Sequence, residues 1–163
     1  MKELLYQYGL FNAWAHKRLM DLILSLPAEK QHQEIPSSFS SLYKTVFHVW
    51  NSEKIWLSRV LGEKIPVKED PFHGSMFDCA GALMELDRNW LHWIEKQNES
   101  SLKQEMRYKN LKGDDCNDAY YQILLHLLNH ATYHRGQLVT ILHHVGVEKI
   151  PATDFIVWAR MRD

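Results

Sequence analysis

Three histidines spaced four residues apart, His126, His130 and His134, stand inside a periodic apolar stretch near the C-terminal end of the chain. At about 100° per residue, Ile123, His126, Leu127, His130, His134, Gln137, Ile141 and Val145 fall within roughly 50° of one helical line. A solvated face would not hold Ile123, Leu127 and Ile141, so this line is expected to face a core. A lone histidine there is usually a satisfied core polar group, but three in a row are harder to explain that way. Each buried ring needs hydrogen-bond partners or costs about 1–3 kcal/mol, and one metal ion satisfies two of them together. Residues four apart rise about 6 Å, so adjacent histidines can meet at one ion, whereas His126 and His134, about 12 Å apart, are too distant to share it. The spacing leaves open His126 with His130 or His130 with His134. Two ligands hold an ion poorly, so a third is expected from another helix.

The rest of the chain reads as further helices. The first spans about Lys2 to Leu26, on a stripe of Leu4, Tyr8, Phe11, Ala15, Leu19, Leu22 and Leu26, and Pro27 ends it. The second starts at Ser37 or Ser38 as N-cap and stops at Gly62. Pro66, Pro71 and Gly74 mark a loop. A third helix opens at Ser75 with Asp78 completing a capping box, and buries Leu83, Leu86, Trp90 and Ile94. After an irregular segment in which Met106, Arg107 and Tyr108 are briefly extended, the fourth runs from about Asp118 to Val145. The tail from Pro151 has room for a short strand or one turn of helix. Four such helices predict an all-α four-helix bundle with one long crossover connection. The short segment from Pro27 to Pro36 suits antiparallel neighbours. At 163 residues the chain, 1–163, is expected to be one domain.

The second helix offers His48, at the edge of its apolar arc of Leu42, Val46, Val49, Trp56 and Val60, where it can reach an internal cleft. Glu53 falls near the centre of that arc. A buried carboxylate must be paired or protonated, so Glu53 is expected either as an outer partner orienting a histidine or in a salt bridge with Arg18 or Arg135. Arg135 itself projects off the histidine line and reads as a surface or interface group. Gly136, in mid-helix at a cost of about 1 kcal/mol, implies a close packing contact. Trp14, Trp50 and Trp158 are material for a dimer interface or for a core.

Composition narrows the partners. The formal charge of −1 shows no basic excess for phosphates, which argues against nucleic-acid binding. Cys79 and Cys116 form no CxxC pair and are expected as free thiols. With no apolar run long enough for a membrane span and no signal-like segment, a cytoplasmic protein with no membrane partner is expected.

The stretch LLHLLNHATYHRGQL, from Leu124 to Leu138, resembles the fourth helix of the DinB/YfiT-like four-helix metalloproteins. FNAWAHKRLM is similar to the family's opening segment, FHVWNSEKIWL to its second-helix histidine segment, YKNLKGDD to the link before the last helix, and PATDFIVWAR to its closing segment. The likeness thus spans nearly the whole chain. It implies one divalent metal held by His48, His130 and His134, with His126 as a nearby polar neighbour beside the Glu53 candidate of the helical wheel; zinc and nickel both suit such imidazole ligands. His16 departs from the family, which often has asparagine there. The resemblance further implies a metal-dependent enzyme, an S-transferase using a low-molecular-weight thiol and a small-molecule substrate, with metal-assisted hydrolysis as the nearest variant; the tryptophans make a homodimer the expected assembly. The alternative is a non-catalytic stress protein whose ion only stabilises the bundle.

Overall fold

A computed structural model describes residues 1–63, 74–110 and 112–161; Pro66 and Pro71 lie outside them. In chain order the elements are α1 (Lys2–Leu24), α2 (Ala28–His32), α3 (Leu42–Leu61), α4 (Met76–Glu95), α5 (Glu99–Leu102), β1 (Glu105–Lys109), β2 (Asp115–Ala119), α6 (Tyr120–His144) and α7 (Phe155–Arg160). Four of these, α1, α3, α4 and α6, are long, and together they make an all-α bundle.

Their directions follow from their contacts. The start of α1 meets the end of α4, where Lys2 N donates to Glu99 Oε1 at 2.8 Å and Tyr6 Oη to Glu95 Oε1 at 2.7 Å. Further along, Asn12 Nδ2 donates to Asp87 Oδ1 at 3.1 Å, so the two helices are antiparallel. Helix α3 runs parallel to α4: Tyr43 Oη reaches Gly74 O at 2.9 Å at their starts, and Glu53 neighbours Asp87 midway. It is antiparallel to α6, with Trp56 on His126 and His48 on His130. The parallel pair makes the α3–α4 connection the long crossover.

Helices α1 and α3 each pack on α4 and α6, which puts them on a diagonal of the bundle rather than side by side. The expectation of antiparallel neighbours across the Pro27–Pro36 segment is therefore half right, since the directions oppose but the helices do not pair. The reason is α2, which folds across the bundle end. There Gln31 Nε2 donates to Ile23 O at 3.1 Å and Leu26 O at 2.9 Å, adding side-chain caps at the end of α1.

The core is continuous from Leu5 and Ile23 through Val46, Leu83 and Ile94 to Leu138 and Ile141. The third-helix face of Leu83, Leu86, Trp90 and Ile94 is buried as expected. The first-helix stripe is inward in part, with Phe11, Ala15 and Leu19 buried, but Leu4 is exposed and a neighbouring buried line carries Leu5, Gly9, Asn12, His16 and Ile23. Two polar residues and a glycine on the buried face hid it from a hydrophobicity reading. Gly9 earns its place, because a Cβ there would meet Leu91 Cδ2 at 3.1 Å. Gly136 does not, since a Cβ at that position meets nothing within 4 Å, and the close contact expected of it is absent. Trp50 and Trp158 are buried within this chain, the latter with Phe11 where α7 docks on α1, and Trp14 is half-buried. The irregular segment is an antiparallel hairpin of β1 and β2, longer than the three extended residues expected.

Helix starts follow side-chain chemistry. Ser75 and Asp78 form the capping box. The cap of α3, however, is Ser41 rather than Ser37 or Ser38: its Oγ accepts from Lys44 N at 3.1 Å. Among four nearly adjacent serines, burial selects the last, because Ser41 is enclosed while Ser37 and Ser38 are exposed. Ser41→Ala should lower unfolding free energy by about 1 kcal/mol, whereas Ser37→Ala and Ser38→Ala should change it by less than about 0.5 kcal/mol. Urea midpoints of the three variants test this, and equal values would mean that Ser41 is not the cap.

Candidate metal centre

Helix α3 brings His48 to the seam with α6, and α6 presents His130 and His134 one turn apart on the same seam. His130 Nε2 lies 3.0 Å from His134 Nε2 and 3.2 Å from His48 Nε2. One ligand atom from each ring lies within 4.8 Å of the others, a group that can hold a metal ion. His134 Nδ1 donates to Gln137 Oε1 at 2.7 Å, which places the ring proton on Nδ1 and turns the Nε2 lone pair to the centre. Zinc–imidazole bonds of about 2.0–2.1 Å set tetrahedral nitrogens about 3.3 Å apart. The observed spacings are close to that, and the donor set fits such an ion.

The electrostatics point the same way. Burial pushes His48 down to about 4, helped by His134 beside it. Burial also takes His130 down to about 4, with His134, His48 and His126 adding to the effect. His134 is lowered by burial, against the opposing effect of the hydrogen bond it donates to Gln137. All three rings are therefore neutral at pH 7, the form that binds a metal.

His126 is exposed rather than on the core line, 5.9 Å ring to ring from His130 and edge-on to Trp56. Phe39 was not singled out from sequence. It stacks on His48 at 3.9 Å and meets His134 edge-on at 5.6 Å, closing one side of the centre. A phenylalanine among serines carries no signal for this, whereas Gln137, three residues beyond His134, was at least on the right line. Two cavities are lined by neighbours of the group, His126 and Gln137, though by none of the three histidines themselves. One of about 250 Å³ is lined by Trp56, Tyr108, Asp118, Gln122, Ile123 and His126. The other, about 260 Å³, includes Tyr133, Gln137 and Ile141.

Glu53 is fully buried and hydrogen-bonds to none of these histidines, since neither carboxylate oxygen has a hydrogen-bond partner. The outer-partner role expected for it is not seen, and no hydrogen-bonded pair with Arg18 or Arg135 replaces it. It stands instead with His16 and Asp87, whose ligand atoms and its own lie within 4.8 Å of one another. His16 Nδ1 is 3.1 Å from Asp87 Oδ2. Arg135, expected at the surface, is only 3% exposed and donates to Asn12 Oδ1 and, at 2.7 Å, to Thr132 Oγ1. Its guanidinium lies over the Phe11 ring, and burial lowers its pKa to about 10. Cys79 is buried with its thiol pushed up to about 12, and Cys116 is half-buried on β2; both are free, and neither belongs to the histidine group.

Fold and geometry define a helical-bundle protein with a candidate three-histidine metal centre on the seam of two antiparallel helices. The chain belongs to the DinB family, whose family model matches residues 1–162. Protein DinB of Bacillus subtilis (strain 168) is 25% identical over 159 residues, covering 93% of this chain and 89% of that protein. Among solved structures, a DinB-like protein of Bacillus cereus ATCC 10987 has a TM-score of 0.64 at 18% identity, covering 85% of this chain and 89% of its own. The DinB-like protein YjoA of Bacillus subtilis has a TM-score of 0.65 at 15% identity, covering 91% and 98%. These structural likenesses establish the shared fold.

The depressed histidines carry a pH signature. The unfolded chain takes up protons below about pH 6.5 that folded His48 and His130, near 4, refuse. Protons bound in excess by the unfolded state make stability rise with pH. The metal-free protein should therefore be fully stable above pH 6.5 and lose stability as pH falls from 6.5 to 4. In His48→Ala/His130→Ala that slope should flatten. Urea unfolding at pH 7.5, 6 and 5 in the presence of EDTA measures it, and parallel slopes for the two proteins would refute the assigned shifts.

Proposed function

We propose that this DinB-family protein holds one zinc or nickel ion on His48, His130 and His134 and uses it as an enzyme acting with a low-molecular-weight thiol. The observation that supports this most directly is the convergence of three neutral Nε2 atoms at 3.0 and 3.2 Å. Three imidazoles leave positions free around a divalent ion, as catalytic sites do and closed structural sites do not. When bound, such an ion supplies Lewis acidity that lowers the pKa of a coordinated water or thiol.

The residues have distinct roles in this reading. Gln137 holds the His134 tautomer, so that its lone pair stays on the centre. Phe39 shields one side of the ring cluster and disfavours charging of His48. The space beside Trp56, Tyr108 and His126 is one helical turn from His130 and suits a small, partly apolar substrate. Hydrolysis by an ion-bound water is the nearest variant on the same ligands. The competing reading, an ion that only braces α3 against α6, draws support from Phe39, which covers the His48 ring.

Metal content and a spectroscopic titration test the proposal. Elemental analysis of untagged protein should find about one zinc or nickel per chain. His130→Ala or His134→Ala should lower it at least tenfold, and His126→Ala should retain it. In cobalt-substituted protein, a bound thiolate adds a near-ultraviolet charge-transfer band to the histidine-only spectrum. Glutathione, bacillithiol and mycothiol, each taken to millimolar concentration, should include one that raises this band, equally in a Cys79→Ser/Cys116→Ser variant. No band with any of them sinks the thiol reading and leaves the bracing role. Metal retained in both His130→Ala and His134→Ala sinks the ligand set itself.

A further inference from the structure

The interior group of His16, Glu53 and Asp87 is separate from the three histidines and differs from them in chemistry. One residue comes from each of α1, α3 and α4, and all three are at most 5% exposed. Their ligand atoms lie within 4.8 Å of one another. Three of the polar atoms have no partner: both Glu53 oxygens and His16 Nε2. An interior carboxylate without a hydrogen bond is costly unless it is protonated or bound, so an unmatched pair of oxygens beside an imidazole and a second carboxylate is a strong departure from ordinary cores.

The obvious counter-ion does not resolve it. Arg135 lies close enough to feel both carboxylates. Its guanidinium nevertheless donates to two neutral acceptors, Asn12 Oδ1 and Thr132 Oγ1, and faces the Phe11 ring. A buried arginine that takes neutral acceptors beside two carboxylates is the arrangement expected where the carboxylates serve something else. His16 is set up in the same sense. Its Nδ1 stands 3.1 Å from Asp87 Oδ2, a spacing that two ligands of one ion can share, and its Nε2 has no partner.

We propose that His16, Glu53 and Asp87 form a second, interior site for a divalent cation that takes mixed nitrogen and oxygen ligands, manganese(II) or iron(II) by class. Two carboxylates neutralise such an ion, and Arg135 then keeps its own charge against the acceptors it already has. One imidazole with two carboxylates falls between the oxygen sites of magnesium and calcium and the nitrogen-rich sites of zinc and nickel. Without the ion, burial and the Asp87 carboxylate push the Glu53 carboxyl well up. Glu53 then carries a proton, which the ion displaces to solvent on binding.

Because the site is sealed, the ion is supplied while the protein folds: cells are grown with manganese, the protein is purified without a metal-affinity tag, and surface ions are removed with EDTA. A His130→Ala/His134→Ala variant, which keeps His16, Glu53 and Asp87, should retain about one manganese per chain by elemental analysis. Its electron paramagnetic resonance spectrum should be that of an immobilised ion rather than of the hexa-aquo ion. Adding Glu53→Gln or Asp87→Asn should cut the retained manganese at least tenfold. If the folded double-histidine variant retains none, the proposal fails whatever the interior substitutions do, and Glu53 holds only its proton. Manganese retained in folded Glu53→Gln and Asp87→Asn backgrounds overturns it as well. Because the three-histidine centre is disabled throughout, neither outcome depends on whether that centre binds metal.

Discussion

A guanidinium enclosed in the middle of a helical bundle has to find acceptors, and where Arg135 finds them decides how the four long helices stand. It donates to Asn12 on α1 and to Thr132 on its own helix, and Asn12 passes the connection to Asp87 on α4, which also holds His16. Glu53 of α3 stands against the same cluster. Each of the four long helices thus contributes to one buried polar layer. Apolar ridges tolerate small slips at modest cost, but a slip of one turn here would strand a buried charge at a cost of 3–5 kcal/mol or so. The layer therefore sets register where hydrophobic packing alone would leave choices.

That register is what brings the histidine centre together. Arg135 follows His134 directly, and consecutive helical side chains point about 100° apart. With Arg135 committed to α1, His134 is turned toward α3, where His48 waits one seam away. The hydrophobic contribution of the surrounding core is larger in total, but it is spread over many residues and does not choose an orientation. Positioning by the polar layer also explains why a bundle carries so many interior polar groups on faces that would otherwise be filled by leucine.

How much of this was legible from the sequence depends on which signal each element carries. Helices α3, α4 and α6 announced themselves by period, and Ser75 with Asp78 marked a true start. The crossover and the diagonal placement of α1 and α3 were only partly readable, because side-by-side packing is a property of α2 and the long connection, not of helical faces. On α1 apolar periodicity found the buried Phe11, Ala15 and Leu19, but it included the exposed Leu4 and passed over Asn12 and His16 on the adjoining buried line. Arg135 failed for the same reason: arginine reads as surface until its acceptors are known. Glu53 could be recognised as misplaced among valines, but its partners come from α1 and α4, far away in sequence. Phe39 was invisible because the loop that folds it over His48 has no period.

The choice among the three α6 histidines shows the limit most clearly. A step of four residues turns about 400°, so each histidine is rotated roughly 40° from the one before it. Across His126, His130 and His134 that drift sums to about 80°, enough to carry the series from solvent to core. The burial follows it: His126 is exposed, His130 half-buried, His134 enclosed. Only the inner two converge on His48 of α3, and His126 meets that helix at Trp56 instead. A helical wheel places all three within one sector and ranks none of them. The ranking depends on where the core axis cuts that sector, which is set by the inward turn of Arg135 and by the packing of Leu138 and Ile141 beyond it. A pair that spacing leaves undecided is thus selected by a buried charge one residue away.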